Sequence, residues 1–600
     1  VKRSLAALVL LIAVFATYAP VVRNGFVWDD TALVLRDPLI RSWRLIPEGF
    51  NHFLFVDATA SDFYRPIQRL TYTLEYAAFA FAPAAYHVTN ILIHAAAAVA
   101  LLFFADELLL AFGIAGPKRK WIAPVTALVW ALHPVHTAAV VYISGRADPL
   151  AALFGFFGCY LMLRSRVVPG RALLLLAGGF TGFLLSALSK ESGLLFPIVT
   201  LVLALLFKDK KAFLRTLVVA AFVGAVYFSL RQAAEHHPSP TPSHPAPLVT
   251  RPITMARAVA EYAGLIALPL NLHMDREVNA RPTESSEQNM TTFARREIQT
   301  LLGAGLLVGM IFWGWHARKQ NSPVSKLLLL AGLTYLPVSG LIALNAPVAE
   351  HWIYVPTAFL FLAIALVATG LIENARLHPR LVRGMSVAFA GWMAFLAVRT
   401  CLRTMDWKDQ RTFLERTIAA GGDSPRMLIN LGGLELSEGH LDRAKAILNK
   451  ALVEEPDQPL AVINLAVVAL RQNDFKTARA LALRASRMPW VDAQAYELMA
   501  VLDNKEKGRA NPLRLRLAAR TGAPNWNIEK RYVRFMAESG ANEAAIRELQ
   551  TCLQTQWYRA ESWQLLEQLL TRIGMANEAA IARTQAAAYD VHLNAQATVL

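Results

Sequence analysis

Eleven apolar stretches divide the first two-thirds of the chain, at about 4–22, 86–111, 121–141, 148–164, 172–189, 192–207, 212–230, 298–315, 327–344, 353–372 and 384–402. Each is near the roughly 20-residue length that crosses a bilayer as a helix. In hydrocarbon every backbone N–H and C=O must be paired within the protein, which leaves helices and closed barrels as spanning structures. Continuous apolar runs select helices, whereas barrel strands alternate apolar and polar residues. The expected fold is therefore all-α, a polytopic membrane domain with about 11 transmembrane helices. Composition agrees: 55% of the 600 residues are hydrophobic and 17% are charged, against about a quarter charged in soluble domains. A shorter run, "ARAVAEYAGLIALPL" (256–270), ends at Pro269 and reads as a re-entrant or interfacial helix. The first stretch, "VKRSLAALVLLIAVFATYAPVV", is too long for a signal h-region and has no clear A-x-A site, so it reads as a retained helix. The leading Val leads us to expect a bacterial chain begun at a non-AUG codon.

The net charge of +16 would ordinarily suggest a polyanionic partner. Its placement says otherwise. With the N-terminus in the cytoplasm, the alternate loops are "GPKRK", "RSRVVPGR", "KDKKAFLR", "HARKQNSPVSK" and "ENARLHPRLVR", and every one is basic. That is the positive-inside pattern, so these charges orient the helices and imply no nucleic acid. The opposite loops are mixed in charge: 23–85, the segment around His133–Asp148, "SKES", 231–297 and "NAPVAEHWIYVP". An odd span count then sends everything after about residue 403 outside. The expected division is a membrane domain over 1–403, with outer loops 23–85 and 231–297, and an extracytoplasmic domain over 404–600. In a bacterium this means the inner membrane and the periplasm. Cys159, Cys401 and Cys552 make no disulfide framework and no zinc spacing. The tract "EHHPSPTPSHPAP" (235–247) reads as a flexible loop rather than a metal site.

The C-terminal third is polar and repetitive. "INLGGLELSEGHLDRAKAILNKALVEEP" aligns with "INLAVVALRQNDFKTARALALRASRMPW" at an offset of 34, pairing Asn430 with Asn464 and Ala444 with Ala478. "AESGANEAAIRELQ" returns as "TRIGMANEAAIART", pairing Gly540 with Gly574 and Ala545 with Ala579. A 34-residue period with small residues where paired helices touch marks tetratricopeptide repeats. Four to five of them, with a degenerate middle, would stack into an α-solenoid with a concave groove.

The outer loops hold the unusual residues: "FVWDDTALV", "DFYRPIQRLTYTLEY", "YHVTNILIH", "HPVHTAAVVYISGRADP", "SKESG", "LPLNLHMDRE" and "AEHWIYVP". Charges at a bilayer surface are costly unless paired or hydrated, so their gathering on one side points to a function. Group transfer from a lipid-linked phosphate donor needs this inventory. Arg, Lys or His would hold the phosphate oxygens, and a carboxylate would take the acceptor hydroxyl's proton. The adjacent Asp29 and Asp30 repel one another, which raises one pKa and improves it as a base.

These fragments, in this order and followed by "DWKDQRTFLERTI" and the repeats, resemble the transmembrane and tetratricopeptide-repeat (TMTC) family of protein O-mannosyltransferases, within the GT-C glycosyltransferase superfamily. The resemblance implies a GT-C fold, a polyprenyl-phosphate sugar donor, a catalytic base in the acidic first outer loop, and repeats that recruit polypeptide acceptors. The chain has Ala138 and His351 where family members commonly have Glu and Arg, which leaves the identities of donor and acceptor open.

On this reading Asp29 is the base and Asp30 an orienting group, the alternative being a helix N-cap with Thr31. Both aspartates are expected in a polar loop where substitution spares folding. Arg65 contacts donor or acceptor, or else snorkels to head groups. His133 and His136 hydrogen-bond phosphate or sugar, or else form a structural pair; their H-x-x-H spacing also suits a metal, but Pro134 argues against a regular metal-binding helix and no third ligand is evident. Arg146, held by Asp148, binds the donor phosphate, or the two form an interfacial ion pair. Lys190, beside Glu191, is a phosphate ligand or a solvated turn residue. Asp275 and His351 complete the set. The expected reaction is a single displacement with inversion at the sugar carbon. It uses no cofactor and implies no divalent metal; the partners are the polyprenyl-phosphate sugar, a protein or peptide acceptor and membrane lipid. Two rivals remain: a non-catalytic, membrane-anchored repeat scaffold for envelope proteins, and a lipid-sugar transporter, which would carry more polar residues deep in its spans.

Overall fold

The computed structural model describes residues 3–57, 62–234, 250–276, 278, 290–319, 321–341, 344, 346–374, 378–521 and 525–593. The proline- and histidine-rich tract 235–247 lies outside them. Among the described residues eight helices are long and apolar enough to cross a membrane: Arg3–Arg23, Pro83–Ala111, Ile143–Val167, Pro169–Ser189, Lys210–Ala233, Ala294–Ala317, Pro356–Glu373 and Pro379–Trp407. A ninth is the pair Pro117–Leu132 and Pro134–Val140, bent by 54°. The bend follows from Pro134, which has no N–H to donate and forces the preceding residue out of the helical region; His133 is extended there, at φ −71° and ψ 126°. Two shorter apolar helices, Glu191–Leu206 and Pro323–Val338, occupy the other two of the eleven stretches. The protein is an all-α integral membrane protein.

Residues 256–267 of the run 256–270 lie in a helix, Arg251–Ala267, that packs against Met290–Lys319. Gly303 permits the close approach, since a Cβ there would fall 1.7 Å from the Ala256 carbonyl oxygen.

The first outer loop is a folded structure built around Arg69. Its guanidinium is buried and makes five hydrogen bonds: to Asp37 (3.1 Å) and to the carbonyls of Gly49 (2.7 Å), His52 (3.1 Å), Phe53 (2.6 Å) and Leu54 (2.8 Å). The amphipathic helix Pro66–Phe79 carries it.

Beyond the last span the chain forms five helix pairs: Pro425–Ser437 with Leu441–Glu454, Pro459–Arg471 with Phe475–Ala485, Asp492–Lys507 with Pro512–Arg520, Trp526–Glu538 with Asn542–Thr555, and Ala560–Arg572 with Ala576–Tyr589. Ala444, Ala478, Ala545 and Ala579 are all buried where paired helices meet. The turn inside most pairs needs a left-handed residue. Gly439, Gly540 and Gly574 supply it at φ 88°, 84° and 83°, and Asn473 does so at φ 60°, because Asn tolerates that region better than most side chains.

The solenoid is docked on the membrane domain at both ends. At its start, Gly25 donates to the Lys408 carbonyl (2.8 Å) just past the last span, and Asp275 accepts from Arg426 of the first repeat helix (3.0 Å). At its end, Arg559 pairs with Asp57, and Tyr76 donates its hydroxyl to Asp590 (2.7 Å). Leu39 and Leu45 of the first outer loop pack with Tyr558 in one apolar cluster.

Candidate active site

The first span ends in a tight turn, Ala19–Arg23, and the chain leaves it extended at Asn24. Four residues later Trp28 adopts φ 52°, a left-handed conformation costing a bulky residue about 1–2 kcal/mol. Neighbours from beyond the last span hold it there. Its N–H donates to Gln410 Oε1 at 2.6 Å, and its ring meets the Phe413 ring edge-on at 5.2 Å. Strain of this kind gathers at functional sites.

The turn sends Asp29 and Asp30 in different directions. Asp30 is wholly buried; its Oδ1 accepts from the Ser144 N–H (2.8 Å) and hydroxyl (2.6 Å), and its Oδ2 from the Val27 N–H (3.0 Å). Burial pushes its carboxyl up to about 7, with those hydrogen bonds opposing and the neighbouring Asp29 reinforcing the shift. The N-cap reading fails: Asp30 precedes the turn Thr31–Leu35, but its side chain caps none of its N–H groups. The expectation that either aspartate could be changed without harm to folding also fails for Asp30, whose three donors would be left competing for a poorer partner.

Asp29 stays partly accessible. Its N–H donates to the Tyr142 hydroxyl at 3.0 Å, and that hydroxyl also serves its carboxylate. Burial raises its carboxyl above the ordinary carboxylate range, while Tyr142, Arg426 and Arg65 work against the shift. A reachable carboxylate with a raised affinity for protons is suited to act as a general base.

Arg65, whose charge acts on Asp29, belongs to a group of cationic and neutral donors. Lys190 Nζ sits 2.6 Å from Asp148 Oδ1 at the junction of two spans. Burial lowers its ammonium, and Asp148 opposes that. Arg65 binds Glu191 Oε2 through Nε (3.1 Å) and its terminal nitrogen (3.0 Å), and Glu191 Oε1 accepts the Tyr64 N–H (3.0 Å). His351 lies in the field of Lys190, Arg65 and Arg426; burial first, then Lys190, brings its imidazole down to about 4. It is therefore neutral near pH 7. Arg65 links these groups: its charge acts on Asp29, on Lys190 and on His351, while Asp148 and Glu191 hold Lys190 and Arg65.

Four expected site residues are placed elsewhere. Arg146 is fully buried and all five of its N–H donors are taken: by Asn90 (2.8 Å), Thr71 (2.9 Å), both oxygens of Glu75 (2.5 and 3.1 Å) and the Tyr86 carbonyl (3.1 Å). It has nothing left for a phosphate and does not pair with Asp148. It joins the first outer loop to the membrane core. His133 and His136 are likewise occupied. His136 uses the Trp130 carbonyl (2.7 Å) and Thr357 (3.0 Å); His133 uses the Ile266 carbonyl (3.0 Å) and the Val135 N–H (3.3 Å). They are the structural pair, fixing the bend at Pro134. Asp275 is buried and ties the second outer loop to the solenoid through Ser424 and Arg426, the latter at 3.0 Å.

Three contributors escaped the sequence reading. Tyr142 and Ser144 lie inside the quoted "VVYISGRAD" but carry no charge to mark them. Arg426 opens the first repeat and reads as one more surface arginine. Among the described residues one trio, Glu435, Glu438 and His440, brings metal-type ligand atoms within 4.8 Å of one another. Arg411 already pairs with both glutamates there, with Glu435 at 2.7 Å.

Residues 435–502 match a tetratricopeptide repeat family model. Across 71% of its length the chain is 22% identical to a protein O-mannosyl-transferase of Caenorhabditis elegans. Across 78% it is 24% identical to human protein O-mannosyl-transferase TMTC3, and over 141 residues, 23% of its length, it is 32% identical to mouse TMTC1. Over most of its length the chain is thus similar, at low identity, to proteins named as protein O-mannosyl-transferases. It spans 59%, 53% and 14% of those three relatives, in the same order. Among solved structures it is similar to ArnT from Cupriavidus metallidurans bound to undecaprenyl phosphate (15% identity, 80% of this chain and 79% of that one, TM-score 0.33). It is also similar to YrrB, a TPR protein with an unusual peptide-binding site (16% identity, 31% and 98%, TM-score 0.21).

Proposed function

We propose that the chain is a membrane glycosyltransferase that moves a sugar, mannose or similar, from a polyprenyl-phosphate donor to an extracytoplasmic acceptor, a protein Ser or Thr hydroxyl. The observation that carries this reading is a partly accessible carboxylate, Asp29, in the field of Arg65, which in turn acts on Lys190 and His351. The relatives named as protein O-mannosyl-transferases support the same class.

Asp29 accepts the acceptor hydroxyl's proton as its oxygen attacks the anomeric carbon. The bond from that carbon to the phosphate oxygen breaks, and the configuration inverts. Polyprenyl phosphate departs with the electron pair. Lys190 gives one of its three donors to Asp148 and offers the others to phosphate oxygens, Arg65 adds its charge, and neutral His351 adds an N–H. A phosphate ester is already a weak base, so its departure needs no general acid. Asp30 and Tyr142 fix the base in place. The reading calls on no cofactor, and no step in it uses a metal. The repeats would present the polypeptide, with the N-terminus cytoplasmic, the site and solenoid periplasmic, and the whole in a bacterial inner membrane.

Purified protein incubated with a panel of polyprenyl-phosphate sugars tests this directly. Release of free polyprenyl phosphate with at least one donor, dependent on an acceptor peptide, is the expected result. No release across the panel would overturn the reading.

A further inference from the structure

The base-bearing turn does not hold itself. Trp28, in its left-handed conformation, is gripped by three side chains that all follow the last span: Gln410 on its N–H (2.6 Å), Phe413 on its ring edge (5.2 Å), and Arg426, whose guanidinium lies 5.4 Å from the ring centroid. A second backbone anchor from the same segment is Gly25 N–H to the Lys408 carbonyl (2.8 Å), while Tyr142 holds the Asp29 N–H from the membrane core (3.0 Å). Arg426 is the outermost of these contacts and belongs to the first helix of the first repeat, Pro425–Ser437. Asp275 of the second outer loop accepts from Arg426 at 3.0 Å and from Ser424, the residue that caps this helix. One arginine thus joins the first repeat, the second outer loop and the turn that carries Asp29.

We propose that Arg426 is a positioning residue for Asp29: the first repeat forms part of the active-site wall, and its seating on Trp28 holds the base in its working geometry. This deepens the proposed transferase reading and rests on it for the role of Asp29, though the clamp itself is a structural statement. The solenoid then does more than recruit. A polypeptide that shifts the first repeat shifts the base with it, so acceptor binding and proton abstraction are coupled through one side chain.

Arg426 also acts on the charge of Asp29, since its positive field opposes the upward shift that burial imposes on that carboxyl. The sign follows. Removing the field raises the Asp29 pKa further, so a larger share of the base is protonated at a given pH, and the acid limb of the rate profile moves to higher pH. A residue that merely stabilised the fold would not move that limb.

The test uses the full-length protein in lipid nanodiscs, with two readouts: amide exchange across residues 25–33, and transfer rate against pH with the polyprenyl-phosphate sugar found active in the donor panel. In Arg426→Gln, exchange across the turn should rise. The maximal rate should fall about 10- to 100-fold, the loss expected from a base displaced on the ångström scale, with the donor KM little changed. The acid limb should move to higher pH. Arg426→Lys should bring the limb back toward the wild-type position, and Asp275→Asn should loosen the turn in the same direction to a smaller extent. Arg484→Gln, an exposed repeat arginine paired with Asp457, should leave both readouts unchanged. Wild-type exchange and a wild-type acid limb in Arg426→Gln would overturn the proposal. Should Arg426→Gln fail to fold, wild-type exchange across the turn in Asp275→Asn would overturn it equally. If the wild type transfers no sugar at all, the transferase reading falls, and the exchange experiment still decides the clamp.

Discussion

Lys190 keeps Asp148 on one of its three donors, at 2.6 Å, whereas Arg146 has all five of its own committed inside the protein. Lys190→Ala should therefore weaken donor handling by roughly 1.5–3 kcal/mol, about ten- to a hundredfold in kcat/KM, with a smaller loss of stability than Arg146→Ala, because Lys190 is less completely buried and makes one hydrogen bond rather than five. Arg146→Ala should do the reverse. It strands the buried Glu75 carboxylate, and losing one partner of a buried pair costs about 3–5 kcal/mol. Donor titrations and thermal unfolding on both purified variants would check the contrast; equal donor defects without loss of stability would return Arg146 to the site. Sequence could not separate these two residues. Arg146 and Asp148 look like natural partners two positions apart, but each is paired with a residue far along the chain, Glu75 and Lys190.

Hydropathy and the 34-residue period made the helices legible, because a span or a repeat announces itself over tens of residues. Close contacts between elements leave no such trace. Gly303 sits in an apolar helix like any other small residue, yet its α-carbon lies against the Ala256 backbone, and a Cβ would come within 1.7 Å of that carbonyl oxygen. Gly303→Ala must push the helices Arg251–Ala267 and Met290–Lys319 apart. Overpacking of this kind costs about 1–3 kcal/mol, to be read as a lowered unfolding temperature in detergent. Gly305→Ala, with open space around it, should show no loss. Equal behaviour of the two would mean that the helices do not meet as described. The bend at His133–Pro134 was visible as a proline in an apolar run. That both flanking histidines were consumed by backbone and Thr357 was not, and their H-x-x-H spacing suggested chemistry where there is a hinge.

At the scale of the molecule, the solenoid bridges the outer loops, fixed near Gly25 at one end and near Asp57 and Tyr76 at the other. Pairs such as Tyr76 with Asp590 are separated by more than five hundred residues, so the sequence announced both domains and nothing of how they join. On the positive-inside pattern the basic loops predict a solenoid on the outer side. A reporter that works only in the cytoplasm, fused after Arg403, should stay silent, while the same reporter fused within 208–211 should be active. Activity at the first position would invert the topology and move the site to the cytoplasmic face.

Everything in the account converges on one carboxylate. Asp29→Asn keeps the size and most hydrogen bonds of the side chain and removes its capacity to take a proton, so donor binding and sugar transfer should separate in this variant. A positioned base contributes about 10² to 10⁴ in rate. Because burial raises the Asp29 carboxyl, wild-type transfer should switch on above the ordinary carboxylate range as pH rises. Measured on purified protein with an active polyprenyl-phosphate sugar, Asp29→Asn should bind donor as the wild type does, lose transfer by at least about a hundredfold, and retain no acid limb of its own. Transfer at the wild-type rate, with the wild-type pH profile, would contradict the account.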